Sequence, residues 1–277
     1  MLMRWTGEIS VGLFLTPSDK VIYDKFTSES SLPERLHFTI FMAESKDQYP
    51  INHLRNLAIE GVRTSHLWLT DMDMWPSYNL REALMALPAS ELSRSDLAVI
   101  VPAFEFKREN SCKSWQYCAK LAAERIPGTK KALNACIARH RCSTFRPKEH
   151  LHDYFFPEWY TENYAPLLTP VKCFKGDTQE PYVMVRKTTS LPRFDERFVN
   201  YGYNKVQWLE HLRFVGFDYA ILTNGFAVDI PHGRSKYWSE FIYQLLYDKR
   251  PNRVVVMRSL YQKFKRELKA NYTSKQK

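Results

Sequence analysis

The sequence predicts one α/β domain built on a largely parallel sheet. Two observations carry this. Apolar runs of strand length alternate with segments of helical period, which implies crossover helices between parallel strands. The chain has 277 residues, 44% of them hydrophobic and 14% aromatic, enough for one large core and short for two domains.

Each element follows in order. "ISVGLFLT" (9–16) and "LHFTIFMA" (36–43) are continuous apolar runs of the kind a strand buried on both faces requires. Residues 49–62 have the helical period instead: Leu54, Leu57, Ala58 and Gly61 share one face, and Asn52, Arg55 and Asn56 another. A strand at 66–70, a helix near 77–87 and a strand at 97–106 continue the alternation. Residues 107–148, rich in Lys, Arg and Cys, read as an inserted loop or helix pair. The aromatic stretch 154–164 precedes a strand at 180–187 and an amphipathic helix at 202–216. Short strands within 218–230 and a basic helix at 259–272 complete the chain.

The net charge of +10 permits an anionic partner. Nothing points to nucleic acid, because no aromatics interleave with the basic runs and no nucleic-acid fold signature is present. Cys112, Cys118, Cys136 and Cys142 form two pairs spaced by six, with Cys173 left odd. No Cys-x-x-Cys occurs, so one or two disulfides in a secretory lumen fit better than zinc, with free buried thiols the alternative. No run of about 18 apolar residues exists, so any membrane attachment rests on an anchor outside this sequence. Asn-Tyr-Thr at 271–273 is one conventional glycosylation sequon.

In "SHLWLTDMDMWPSYNL" (65–80), Asp71 and Asp73 stand where a buried strand surfaces. Paired acids repel unless a cation neutralises them, and carboxylates at i and i+2 suit a hard divalent ion. The same arrangement opens the haloacid-dehalogenase-type phosphatases, but those require Thr or Val where Trp75 stands. One Arg and two amides on the preceding helix suit a diphosphate and a sugar.

Together "ISVGLFLTPSD", "YPINHLRNLAIEGVRTSHLWLTDMDMWPS", "VPAFEF", "EPYVMVRK", "RFDERFVNYGYNKVQWLEHL" and "LTNGFAVDIPHG" resemble glycosyltransferase family 49. The resemblance runs from Ile9 to about Tyr272, weakest across 107–148. It implies a GT-A fold: a single nucleotide-binding, Rossmann-like domain, here 1–277, with a mixed central sheet. It also implies an inverting, metal-dependent transferase in the Golgi lumen, with Mn²⁺ or another divalent cation as cofactor. Such an enzyme moves a sugar, glucuronic acid, from a UDP-sugar to a glycan or glycoprotein acceptor. A catalytically inactive sugar-binding homologue is the alternative.

On this resemblance Asp71 and Asp73 bind the metal. Arg55 and Asn56 match the family's Arg-Asn pair near the donor, and Asn52, on the same helix face, and Phe14 are expected to bind the donor with them. Asp229 stands where the family has a His, so either Asp229 or His232 completes the metal site. Many GT-A enzymes have an acidic pair after the turn at 202, but here Asn204 and Lys205 occupy it. The general base is therefore expected at Asp195 or Glu196, or failing those near His152 and Asp153.

Overall fold

The computed structural model describes residues 4–108, 114–152, 154–162, 164–247 and 256–272. Cys112, Asp153 and Thr273 of the sequon lie outside the described residues. The chain begins with β1 (Ile9–Leu15), α1 (Pro17–Glu29), β2 (Leu36–Met42), α2 (Ile51–Glu60), β3 (His66–Trp68) and β4 (Met74–Pro76). Two short helices, α3 (Leu80–Met85) and α4 (Ala89–Leu92), precede β5 (Leu97–Val101) and β6 (Ala103–Phe106). The basic stretch supplies α5 (Trp115–Arg125), α6 (Lys130–Ala138) and β7 (Cys142–Thr144). After it come β8 (Leu168–Pro170), β9 (Tyr182–Arg186) and α7 (Val206–Phe214). The remainder is β10 (Asp218–Leu222), β11 (Ala227–Asp229), α8 (Lys236–Ile242) and α9 (Val256–Asn271).

The strands form three sheets, ordered β1-β2, β3-β9-β5-β10-β8 and β4-β11-β6-β7. In the five-stranded sheet β5 and β10 are the one parallel pair of neighbours; β3 runs in their direction, and β9 and β8 run against it. The expectation of a largely parallel sheet is corrected here: β9 enters antiparallel between β3 and β5. Alternation along a sequence fixes no strand direction once a long stretch intervenes. The mixed architecture is the one the GT-A fold requires.

Alternate residues of the central strands enter different cores. Ala98, Ile100, Val183, Val185 and Ile221 pack in one buried cluster, and Leu97, Val99, Val101, Met184 and Leu222 in the other. Burial on both faces is why these strands are apolar throughout. A third cluster joins Tyr261, Phe264 and Leu268 of α9 to Val206 and Phe214 of α7.

The run 97–106 is two strands, not one. Pro102 has no N–H to donate to a ladder, and the chain leaves the five-stranded sheet there to enter the four-stranded one. β3–β4 and β10–β11 make the same crossing, so three chain passages line a seam between the two sheets.

β1 and β2 pair in parallel from Ile9↔Leu36 to Leu15↔Met42. None of the three buried clusters takes a side chain from β1, α1 or β2. The pair is held by α2, whose approach requires Gly12: a Cβ there would lie 2.1 Å from the Leu54 carbonyl oxygen. The helix α1 was not foreseen. Its start is nonetheless marked, with Pro17 in the first turn and the Asp19 carboxylate accepting from the Thr16 N–H at 3.1 Å.

The helix pair expected within 107–148 is present, but the stretch is no simple insert, since β7 pairs with β6 at the sheet edge. Cys136 and Cys142 form a disulfide between α6 and β7. Among the described residues Cys118 is a buried thiol and Cys173 an exposed one. No described helix is long and apolar enough to cross a membrane.

Candidate active site

Asp71 and Asp73 occupy the crossing between β3 and β4, and each is fastened to a different sheet. The Tyr182 hydroxyl on β9 donates to Asp71 Oδ2 at 2.8 Å. Lys205 Nζ lies 3.0 Å from the same oxygen, and Arg55 Nη2 lies 3.4 Å from Oδ1. Surrounding protein opposes ionisation of Asp71, but the charges of Lys205 and Arg55 outweigh it and hold the carboxyl well below its usual range. Burial pushes the Tyr182 phenol up, so it stays a donor.

Asp73 faces the four-stranded sheet, and its carbonyl accepts from the Ile230 N–H at 3.1 Å. His232 Nε2 is 3.0 Å from Asp73 Oδ2 and 3.7 Å from Asp229 Oδ1. One ligand atom from each of Asp73, Asp229 and His232 falls within 4.8 Å of the others. Asp229 pairs with Met74 on β4 and with Glu105 on β6. Burial and the neighbouring Asp73 push its carboxyl up to about 8. His232, hydrogen-bonded to Asp73, is raised to about 9. Two carboxylates and an imidazole are a donor set that Mn²⁺ and similar divalent ions accept.

A sequence profile described as glycosyl-transferase for dystroglycan matches residues 25–273. The chain belongs to glycosyltransferase family 49. It is 30% identical over 246 residues to a xylosyl- and glucuronyltransferase LARGE2s of Gallus gallus, covering 86% of this chain and 30% of the relative. The Danio rerio LARGE2s is 28% identical over 244 residues, covering 86% and 30%. Human xylosyl- and glucuronyltransferase LARGE1 is 26% identical over 276 residues, covering 97% of this chain and 33% of the relative. The chain thus spans about a third of the length of these relatives.

In this family 49 chain the residues expected at the donor divide. Asn52 and Asn56 are buried, at 0% and 2% exposure. Asn52 Nδ2 donates to the Asp195 carbonyl at 2.9 Å. Asn56 donates to the Phe194 carbonyl at 3.0 Å and accepts from the Phe194 N–H at 2.9 Å. Both amides are engaged with main chain, Asn52 Oδ1 also accepts from Arg55 Nη1 at 3.1 Å, and together they brace the 194–196 segment beside Arg55. Arg55 does reach Asp71, and it also donates to Asn204 Oδ1 at 3.0 Å. Phe14 lines a cavity of about 740 Å³ with Tyr49, Tyr237, Lys46 and Lys236.

The acids expected to act as base are paired elsewhere. Both carboxylate oxygens of Asp195 accept from Arg197 Nε at 2.9 Å, and Arg197 also bonds Glu267 of α9. Glu196 accepts from Asn56 at 2.8 Å and lies 2.9 Å from His53 Nδ1. His152 is buried and stacks on Tyr182, their ring centroids 5.8 Å apart.

Two residues of the site escaped sequence reasoning. Lys205 is buried with its ammonium 3.7 Å from the Tyr182 ring centroid. It stands after the turn at 202, where the resemblance led to the expectation of an acid, and that departure was its signal. Glu105 accepts from Ser143 Oγ at 2.8 Å and from the Arg146 N–H at 3.2 Å. Its place inside an apolar strand was the available signal.

Proposed function

We propose that this chain is a metal-dependent, inverting glycosyltransferase that moves glucuronic acid from UDP-glucuronic acid to a glycan acceptor. One observation carries the reading. Asp73, Asp229 and His232, drawn from two separate segments, converge beside an acid already held by Lys205 and Arg55. The donor set fits Mn²⁺, which when bound would neutralise the diphosphate of the departing UDP.

The chain's own groups supply the rest. Arg55 and Lys205 place two positive charges beside the cluster, suited to the donor diphosphate. Phe14, Tyr49 and Tyr237 offer ring faces to a flat base, and Tyr49 stacks on Tyr237 at 6.0 Å. The acceptor hydroxyl attacks the sugar's anomeric carbon from the face opposite UDP. Its proton passes to a carboxylate or imidazole acting as general base, and the bond to UDP breaks with UDP leaving as the anion. The family description names dystroglycan, which favours a glycoprotein acceptor. The disulfide favours an oxidising compartment, consistent with the Golgi lumen.

The similar proteins are named for two sugars, xylose and glucuronic acid. These differ by one carboxylate on the pyranose ring. UDP release from a panel of UDP-sugars, with and without Mn²⁺, tests the reading. Release that needs both Mn²⁺ and acceptor supports transfer. Donor binding without turnover favours an inactive sugar-binding homologue.

A further inference from the structure

We propose that Arg146, held by Tyr201, binds the carboxylate of the transferred uronic acid and so sets donor choice. This rests on the donor reading above and names the group that selects the sugar.

Arg146 follows β7. Its backbone is left-handed, φ 47°, unusual for a residue with a side chain. The loop opposite is contorted too, with φ 57° at Asn200, 97° at Gly202 and 58° at Tyr203. The two loops meet where Arg146 Nη1 donates to the Tyr201 hydroxyl at 2.7 Å. Backbone held in such conformations needs surrounding structure to over-determine it, and that situation is concentrated at ligand clamps. Here the support is visible. Asn200 and Tyr49 exchange hydrogen bonds of 2.7 and 2.8 Å, and Glu105 fixes the Arg146 N–H.

Glu105 is the strand neighbour of Asp229, so Arg146 is tied to the residue beside the candidate metal cluster. Its guanidinium is partly buried and, among the described residues, has no carboxylate within ion-pair distance, though the charges of Glu180 and Asp229 lie near enough to act on it. Tyr201 occupies one of its five donors, which leaves a fork able to take a carboxylate with two parallel hydrogen bonds. Lys205 and Arg55 stand on the Asp71 side of the cluster, suited to the diphosphate, and Arg146 is a further cation on the Asp229 side. The anion that matches Arg146 is therefore a group of the donor itself, either the uronate or the diphosphate.

Calorimetry on the full 277-residue chain with Mn²⁺ separates these, using UDP-glucuronic acid, UDP-xylose and UDP. UDP-xylose is the same donor without the carboxylate. Arg146→Gln should weaken UDP-glucuronic acid binding by about 10- to 100-fold and leave the other two within about threefold. Arg146→Lys, which keeps the charge without the fork, should recover part of the loss. If Arg146→Gln does not fold, Tyr201→Phe carries the same test with a smaller selective loss. Equal loss for all three ligands would move Arg146 to the diphosphate and overturn the assignment, as would no loss at all. Wild-type chain that binds none of the three would overturn the donor reading itself, before any variant is made.

Discussion

His232 Nε2 lies 3.0 Å from Asp73 Oδ2, whereas Asp71, two positions before Asp73, is bound to Lys205. The two acids of one short motif therefore serve different partners. Asp73 joins Asp229 and His232, and Asp71 joins the cations.

This division is measurable without turnover. Asp73→Ala and His232→Ala should each weaken Mn²⁺ binding by at least about tenfold in calorimetry. Asp71→Asn should keep Mn²⁺ affinity within about threefold, because its carboxylate is not one of the three converging ligands. Loss of Mn²⁺ affinity in Asp71→Asn equal to that in Asp73→Ala would show that both acids hold the ion.

Asn56→Ala should cost stability, not donor affinity. It leaves the Phe194 N–H and carbonyl without their partners, a loss of about 2 kcal/mol or more in urea unfolding. A raised donor KM with unchanged unfolding midpoint would return Asn56 to the donor.

Asp195→Asn and Glu196→Gln should retain kcat within about fivefold, since a general base costs about a hundredfold or more when removed. Both carboxylates are engaged in pairs with Arg197 and with Asn56 and His53. A collapse of kcat at steady UDP affinity would identify the base after all.

His152 gives a pH prediction. Burial, then the charges of Lys205 and Arg146, hold its imidazole well below the usual value. Once unfolded it takes a proton near pH 6.5, as free imidazoles do. Below that pH the unfolded chain binds more protons than the folded one, so stability falls with a slope approaching about 1.4 kcal/mol per pH unit. His152→Phe should remove this component. Parallel urea curves at pH 7.5 and 5.5 check it, and identical slopes in both proteins would refute it.

The central strands were legible because burial on both faces leaves unbroken apolar runs. Asp71 and Asp73 stood out because few sequence patterns set acids where a buried strand surfaces, whereas Asp229 and His232 were singled out only by the family resemblance. Other features were hidden for physical reasons. Asp71's separate role depends on Lys205 and Tyr182, both remote in sequence, and no local pattern reports such a pairing. Asn52 and Asn56 looked like a polar helix face because periodicity cannot distinguish an amide facing solvent from one capping a buried loop. β4 and β7 are three residues each, too short to show an alternation. The apolar run through Pro102 concealed a change of sheet that the proline itself marked.

The seam between the sheets has a mechanical consequence. Asp71 is fastened through Tyr182 to one sheet and Asp73 through Ile230 to the other, so the pair works as a clasp across a joint. Sliding one sheet against the other by a fraction of an ångström would separate Lys205 and Arg55 from Asp73, Asp229 and His232 while leaving each cluster intact. Core substitutions far from the acids but close to a crossing, such as beside Pro102, would then detune activity before they loosen the fold. In such a molecule the alignment of the two sheets matters alongside the identity of the site residues, and it is a quantity that the whole core holds constant.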